Sequence, residues 1–435
     1  MKPVVERRVG TLATNEEEAT VMQGDFGMRV GAVWVAGAMA LAVAALPAPA
    51  AAQTKEVKVA LIAPFSGPWA RQGDLMLKGA QMAVDDINAQ GGVKALGGAK
   101  IKLVVVDAGD SIEKAKNAAQ RMVAQETDLV GCTGAWLSSF TLAVTEVTER
   151  AELPCLTLSY SDLITSRGFQ YIFQTSPTGN EQATQALPTI IKLAETATGR
   201  APKTVAIVMD NTAASVSFAK PMREGGLAKY GLKVLVDETF TPPLSDATPL
   251  VQKVRSARPD LLFLLPTALP DDKLLVEKLN EFGLGHGRVP VVSNGAHIAA
   301  PEMLSALGKD MVDGIMTVVG NWRIQGEEAL AAEYKKRTGE PWMTQETVST
   351  YGDIWIFKEA LERARAADRK KVAGAIRTMD LTDGPARYYP GGRVKFDDKG
   401  RRVGAQLLIV QWQNGVPETV FPPAAAVAQP IWPKQ

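Results

Sequence analysis

The chain has 435 residues, 46% apolar and 22% charged. That is enough to bury a core divided between two domains or lobes, which excludes a disordered chain. Its 48 basic and 47 acidic side chains leave a formal charge of +1 with no block of one sign, which excludes an electrostatic grip on nucleic acid or an anionic membrane.

The first element in chain order is a leader. Met28-Arg29 precedes the 16-residue run GAVWVAGAMALAVAAL, and Ala50-Ala51-Ala52 supplies a small-x-small cleavage pattern, so residues 1–52 read as leader and secretory signal, cut after Ala52. The run is shorter than the ~20 residues of a membrane span. No cysteine follows the small residues, so no lipid anchor is expected and the mature protein is free in the exported compartment. The acidic NEEE segment is unlike the start of such a signal, and Met28 offers an alternative start.

From Val57 onward, short apolar runs alternate with helical stripes. VKVALIAP (57–64) is a strand; Met76, Ala80, Ala83, Val84 and Ile87 then mark one face of a helix over 74–89. IKLVVVD, DLVGCTGA and LPCLTLS follow as strands, with helices over 111–125 and 139–149 between them. The alternation restarts after Pro177-Thr178-Gly179: helix 180–196, strand TVAIVMD, helix 214–229, strand LKVLVDE, helix 247–256, strand DLLFLLP, helix 271–281 and strand RVPVVS. Strands rich in Val, Ile and Leu, alternating with helices, predict an α/β fold of two parallel sheets covered on both faces. GIMTVVG is a further strand, 345–365 a helix, and a terminal hairpin is expected around Asp398-Lys399-Gly400, before a Pro/Ala tail.

Cys132 and Cys155 each sit inside a strand-like run. Export permits a disulfide, but two buried free thiols are slightly preferred here.

Open parallel sheets bind ligands at the carboxyl ends of their strands. Ser138 stands there, after DLVGCTGA and at the start of a helix, as either a plain cap or part of an anion site. Thr157, Ser159 and Ser161 end the adjoining strand. Converging neutral donors without Arg or Lys suit a small carboxylate better than a phosphate.

The segments VKVALIAPFSGPWARQGDLMLKGAQMAVDDINAQGG, IKLVVVDAGD, GAWLSSFT, LTLSYSDLITSRGFQYIFQTSP and TVAIVMD, in that order, resemble the periplasmic branched-chain amino-acid-binding proteins of ABC transporters, the Leu/Ile/Val-binding family. The resemblance covers residues 57 to about 415. It implies the type I periplasmic-binding architecture, two Rossmann-like lobes joined by three hinge crossovers. Lobe I is expected over 53–176 plus about 297–385, lobe II over 177–296 plus about 386–420, and 421–435 as a flexible tail. It further implies a monomeric periplasmic receptor without cofactor or metal, which passes its ligand to ABC permease subunits in the membrane and performs no chemistry.

By the same resemblance, Ser138, Ser159 and Ser161 hold the ligand's carboxylate and Trp136 packs on its side chain. Gln72 stands where an aromatic is common, with Trp69 offering an aromatic surface beside it. In the second lobe Asn294 replaces the acidic partner of a ligand ammonium, Asp210-Asn211-Thr212-Ala213-Ala214 replaces an expected tyrosine, and Ala268 replaces another aromatic. A buried ammonium without a carboxylate is costly. The expected ligand is therefore a small apolar or aromatic carboxylate, or an amide-like compound, with Asn294 and Asp210 in the second-lobe wall. A ligand-sensing module of the same fold, reporting to a signalling partner, is the alternative.

An enzyme is not expected. His286 and His297, the only histidines, have no metal-ligand or nucleophile partner nearby in sequence and read as loop residues. GLGHG follows a helix and precedes a strand, the reverse of a dinucleotide fingerprint. Asp85-Asp86 and Asp271-Asp272 read as solvated surface and helix N-terminal charge.

Overall fold

The computed structural model describes residues 56–432. The expected leader and its cleavage site lie outside the described residues. In chain order the strands are β1 Glu56–Ala63, β2 Lys100–Asp107, β3 Leu129–Gly134, β4 Cys155–Thr157, β5 Ile172–Gln174, β6 Thr204–Asp210, β7 Lys233–Phe240, β8 Leu261–Leu265, β9 Val291–Asn294, β10 Met316–Val319, β11 Asp380–Leu381, β12 Val394–Lys395, β13 Leu408–Gln413 and β14 Val416–Phe421. Among the described residues no helix is long and apolar enough to cross a membrane.

β1 to β5 form a parallel sheet in the order β2-β1-β3-β4-β5. The second sheet runs β14-β13-β10-β9-β8-β6-β7, parallel from β10 to β7 and antiparallel at its β13–β14 edge. Parallel strands need helical crossovers, which cover both faces, so β1, β3, β6 and β8 bury nearly every side chain. This is the α/β architecture expected. The chain passes between the sheets three times: after β5, after β10 and between β12 and β13.

The division between lobes differs from the expected one. Residues 316–319 form β10, which pairs with β9 and β13 in the second sheet, so this part of 297–385 belongs to the second half. Conversely Tyr389, Val394 and Phe396 pack into the first half's core. The reason is pairing: a strand's side is decided by its neighbours, here about 90 residues apart for β10 and β13.

Three local expectations also change. The helix expected over 214–229 is interrupted: it runs Ala213–Pro221, opens into a wide turn in which Gly225 has φ +97°, and resumes as Leu227–Lys229. A tight turn does occur at Asp397–Gly400, but the long hairpin joins β13 to β14 through Asn414-Gly415, both with positive φ, the signature of a two-residue turn. Residues 422–432 are not a loose tail: Gln411 donates from Nε2 to the Ile431 carbonyl at 2.5 Å and accepts the Ile431 N–H at 2.8 Å, and Ala428 and Trp432 pack on the second half's core.

The two cysteines are paired rather than free. Parallel β3 and β4 set Cys132 opposite Cys155 with Cα atoms 4.5 Å apart, and the two form a disulfide inside the first sheet.

Candidate ligand cleft

A cleft of about 340 Å3 lies where strands of both sheets end at their carboxyl termini. The first half contributes Trp136, Leu137 and Ser138 after β3 and Leu158, Ser159 and Tyr160 after β4; the second contributes Ala214, Thr267 and the Asn294–His297 loop, and Gln345 joins from the helix Gln345–Ala364. The halves touch directly: Arg71 Nε is 2.6 Å from Glu302 Oε1, Ala213 N donates to Ser139 Oγ at 3.2 Å, and Asp162 N donates to Ser217 Oγ at 3.0 Å.

Ser138 opens the helix Ser138–Arg150 behind an extended Leu137 and makes no capping bond. Its Oγ instead accepts the N–H groups of Tyr160 and Ser161, each at 3.1 Å. With both lone pairs engaged, the hydroxyl proton is what it can give a ligand. The first N–H groups of the helix have no intrahelical acceptor and add partial positive charge.

Ser159 also reaches the cleft, but its hydroxyl donates to the Trp136 carbonyl at 2.7 Å and meets Thr141 Oγ1 at 2.6 Å. It secures the turn that carries Trp136, where Ala135 and Trp136 have φ of 58° and 28°, a region unfavourable for residues with a Cβ. The Ser161 hydroxyl lies outside the cleft wall, accepting Leu163 N at 3.4 Å; only its N–H serves the site, through Ser138. Of the three serines, Ser138 and Ser159 line the cleft and Ser161 does not, and only the Ser138 hydroxyl proton is left to face a ligand.

Trp136 is part of the wall, its Nε1 donating to Glu346 Oε1 at 3.0 Å. Trp69 packs edge-on to Phe140, ring centres 5.4 Å apart, and Gln72 is fully buried in the helix Ala70–Ala89; neither lines the cleft. Asn294 is in the wall. Its Nδ2 donates to Gln182 Oε1 at 2.9 Å and to the Val318 carbonyl at 3.0 Å, which leaves Oδ1 as a neutral acceptor. Asp210 is not in the wall: fully buried, it accepts Thr212 N and Oγ1 and Thr267 Oγ1, bonds that hold the second-half loops from behind.

Sequence reasoning missed several wall residues. Tyr160, an aromatic among the strand-tip serines, donates to Gln345 Oε1, which also accepts Gly320 N at 2.7 Å; burial pushes the phenol above its ordinary range, keeping it a donor. Gln345 thus has its amide N–H groups to offer. His297 does sit in the loop after β9, as expected, but it is buried, 2% exposed with Nδ1 bonded to Asp272. Nor are Asp271 and Asp272 solvated, since both are fully buried. Burial raises Asp271 to about 6, although it accepts Leu244 N at 2.8 Å. No local signal marked the Asp272–His297 pair, whose members lie 25 residues apart in sequence.

The family model described as periplasmic binding protein matches residues 56–417. A Leu/Ile/Val-binding protein homolog 7 from Brucella melitensis is 30% identical over 401 residues, covering 90% of this chain and 98% of its own length. Solved structures share the fold. LivJ, a branched-chain amino acid transporter substrate binding protein from Streptococcus pneumoniae solved with isoleucine, has a TM-score of 0.72 at 21% identity, covering 85% of this chain and 100% of that one. A solute binding protein of an ABC transporter from R. palustris, solved with benzoate, gives 0.69 at 18%, covering 86% and 98%. These are binding proteins, not enzymes. From its fold, its cleft and these relatives, the chain belongs to the periplasmic binding protein family, alongside the Leu/Ile/Val-binding homologues.

Proposed function

We propose that the protein is the exported receptor of an ABC importer, capturing a small carboxylate with an apolar body between its halves and handing it to a membrane permease. One observation carries this reading: Ser138 Oγ, saturated as an acceptor by two backbone N–H groups at 3.1 Å, presents its proton beside a helix N-terminus in the cleft. A carboxylate meets that donor, and Trp136, Leu137, Leu158 and Ala296 suit an apolar body. Relatives solved with isoleucine and with benzoate, carboxylates of this size, support the class. Closure of the two halves over the ligand would be the form presented to the permease.

The test is a thermal-shift screen of the mature protein over amino acids, aromatic acids, short-chain acids and amides, followed by calorimetry of the best compound on wild type and Ser138→Ala. A carboxylate hit weakened by the substitution is expected. Response to neutral amides alone, or a carboxylate hit indifferent to Ser138→Ala, refutes the reading.

A further inference from the structure

We propose that His297 is a specificity-determining residue: held as a cation by Asp272, its ring makes the second half's wall positive and selects carboxylates lacking an amino group over the corresponding α-amino acids. This rests on the carboxylate reading of the cleft and names the kind of acid it takes.

The charge follows from geometry. His297 Nδ1 faces Asp272 Oδ2, and Nε2 lies 3.1 Å from the carbonyl oxygen of Asn294. The Asn294 carbonyl can only accept, so Nε2 carries hydrogen; with the proton of the Nδ1–Asp272 contact on the ring, the pair is an imidazolium against a carboxylate. Burial opposes charge on both partners and raises Asp272, which His297 in turn pulls down; on the ring, the Asp272 carboxylate and the bond to Asn294 outweigh burial and raise the histidine above its ordinary value.

The pair is oriented. His297 is in the cleft wall, edge-on to Trp136 with ring centres 6.2 Å apart, whereas Asp272 is fully buried outside it. The other acidic groups acting on this cluster, Asp210, Asp271 and Glu346, are buried and also outside the wall, and Glu346 gives Oε1 to the Trp136 indole. The ligand therefore meets the positive end. The loop is folded tightly over the ring: Gly295 has φ +112°, and a Cβ there would sit 2.6 Å from Nε2.

For an α-ammonium this wall is unfavourable. Neither ring nitrogen has a lone pair to offer, and Asn294 supplies only the neutral Oδ1. A ligand without the amino group avoids like-charge contact and desolvation of an unpaired ammonium.

Calorimetry on matched pairs, 4-methylpentanoate against leucine and 3-phenylpropanoate against phenylalanine, tests this on wild type, His297→Gln, Asp272→Asn and the double variant. Wild type is expected to favour the des-amino acid by at least about tenfold, and His297→Gln to erase or reverse that ratio by leaving Asp272 unpaired. The double variant should fall between. In parallel, 15N chemical shifts of the ring, one of only two histidines in the chain, should show both nitrogens protonated at neutral pH, a measurement that needs no variant. A neutral ring, a wild type preferring the amino acids, or a ratio unchanged in folded His297→Gln overturns the assignment. If the acids bind in a Ser138-dependent way without discrimination, only the His297 assignment falls; if no carboxylate binds at all, both readings fall.

Discussion

Ser159 Oγ donates to the carbonyl oxygen of Trp136 at 2.7 Å, so a hydroxyl on β4's loop fixes the turn after β3. Ser159→Ala removes that bond and leaves a buried carbonyl without its donor. The expected loss is about 1–3 kcal/mol of stability, read by denaturant titration, with weaker ligand binding because Trp136 loses its fixed place. An unchanged midpoint would remove Ser159 from this role.

Ser138→Ala should cost both affinity and stability, because the buried Tyr160 and Ser161 N–H groups lose their acceptor along with the ligand's donor. A hydrogen bond to a charged ligand contributes about 1.5–3 kcal/mol, so the dissociation constant for the carboxylate hit should rise roughly 10- to 150-fold. Ser138→Thr retains the hydroxyl and should recover part of it if the added methyl is accommodated.

The Cys132–Cys155 disulfide closes a 23-residue separation, for which chain entropy predicts about 3 kcal/mol. The Cys132→Ala/Cys155→Ala double variant should lose about that much unfolding free energy in a denaturant titration. Because Cys132 is fully buried and Cys155 4% exposed, mild reductant should leave the native protein untouched and act only as it unfolds.

Asp353 gives a pH prediction of unusual sign. It is fully buried, bonded to Thr133 Oγ1 and Tyr389 OH at 2.6 Å each, and burial raises it to about 6. Unfolded aspartate titrates near 3.9, so between those values the native state holds the extra proton. Its contribution is fully present below about pH 4 and is lost as pH rises through about 6. Measured against Asp353→Asn, the wild type should lose about 3 kcal/mol of relative stability from pH 4 to pH 7. A difference constant with pH would contradict the assignment.

Arg71 and Glu302 pair across the halves at 2.6 Å, partly exposed. Such pairs contribute up to about 1 kcal/mol, so Glu302→Gln should raise the ligand dissociation constant no more than about fivefold, through faster release. Small-angle scattering without ligand should show a larger radius of gyration than wild type.

What the sequence revealed depended on range. The strand β1, a continuous apolar run, and the helix Ala70–Ala89, a 3.6-residue stripe, were legible because local period encodes burial. Ser138 was legible because a strand tip followed by a helix start has a fixed place in a parallel sheet. Asp272 and His297 were not: 25 residues separate them, and an acidic residue in a helix's first turn looks exposed until its partner is known. The disulfide likewise depended on sheet order, which set Cys132 opposite Cys155. The end of the chain has no period, and its docking relies on one glutamine, Gln411, bonding backbone groups.

That docking offers a practical handle. Trp432 nestles beside Pro202, Asp260 and Pro290, residues just before β6, β8 and β9, whereas the cleft is built from residues at or beyond the far tips of those same strands. A fluorophore or surface tether coupled next to Trp432 would thus sit a full strand length from the binding mouth, anchoring the receptor as a sensor while solute comes and goes unobstructed.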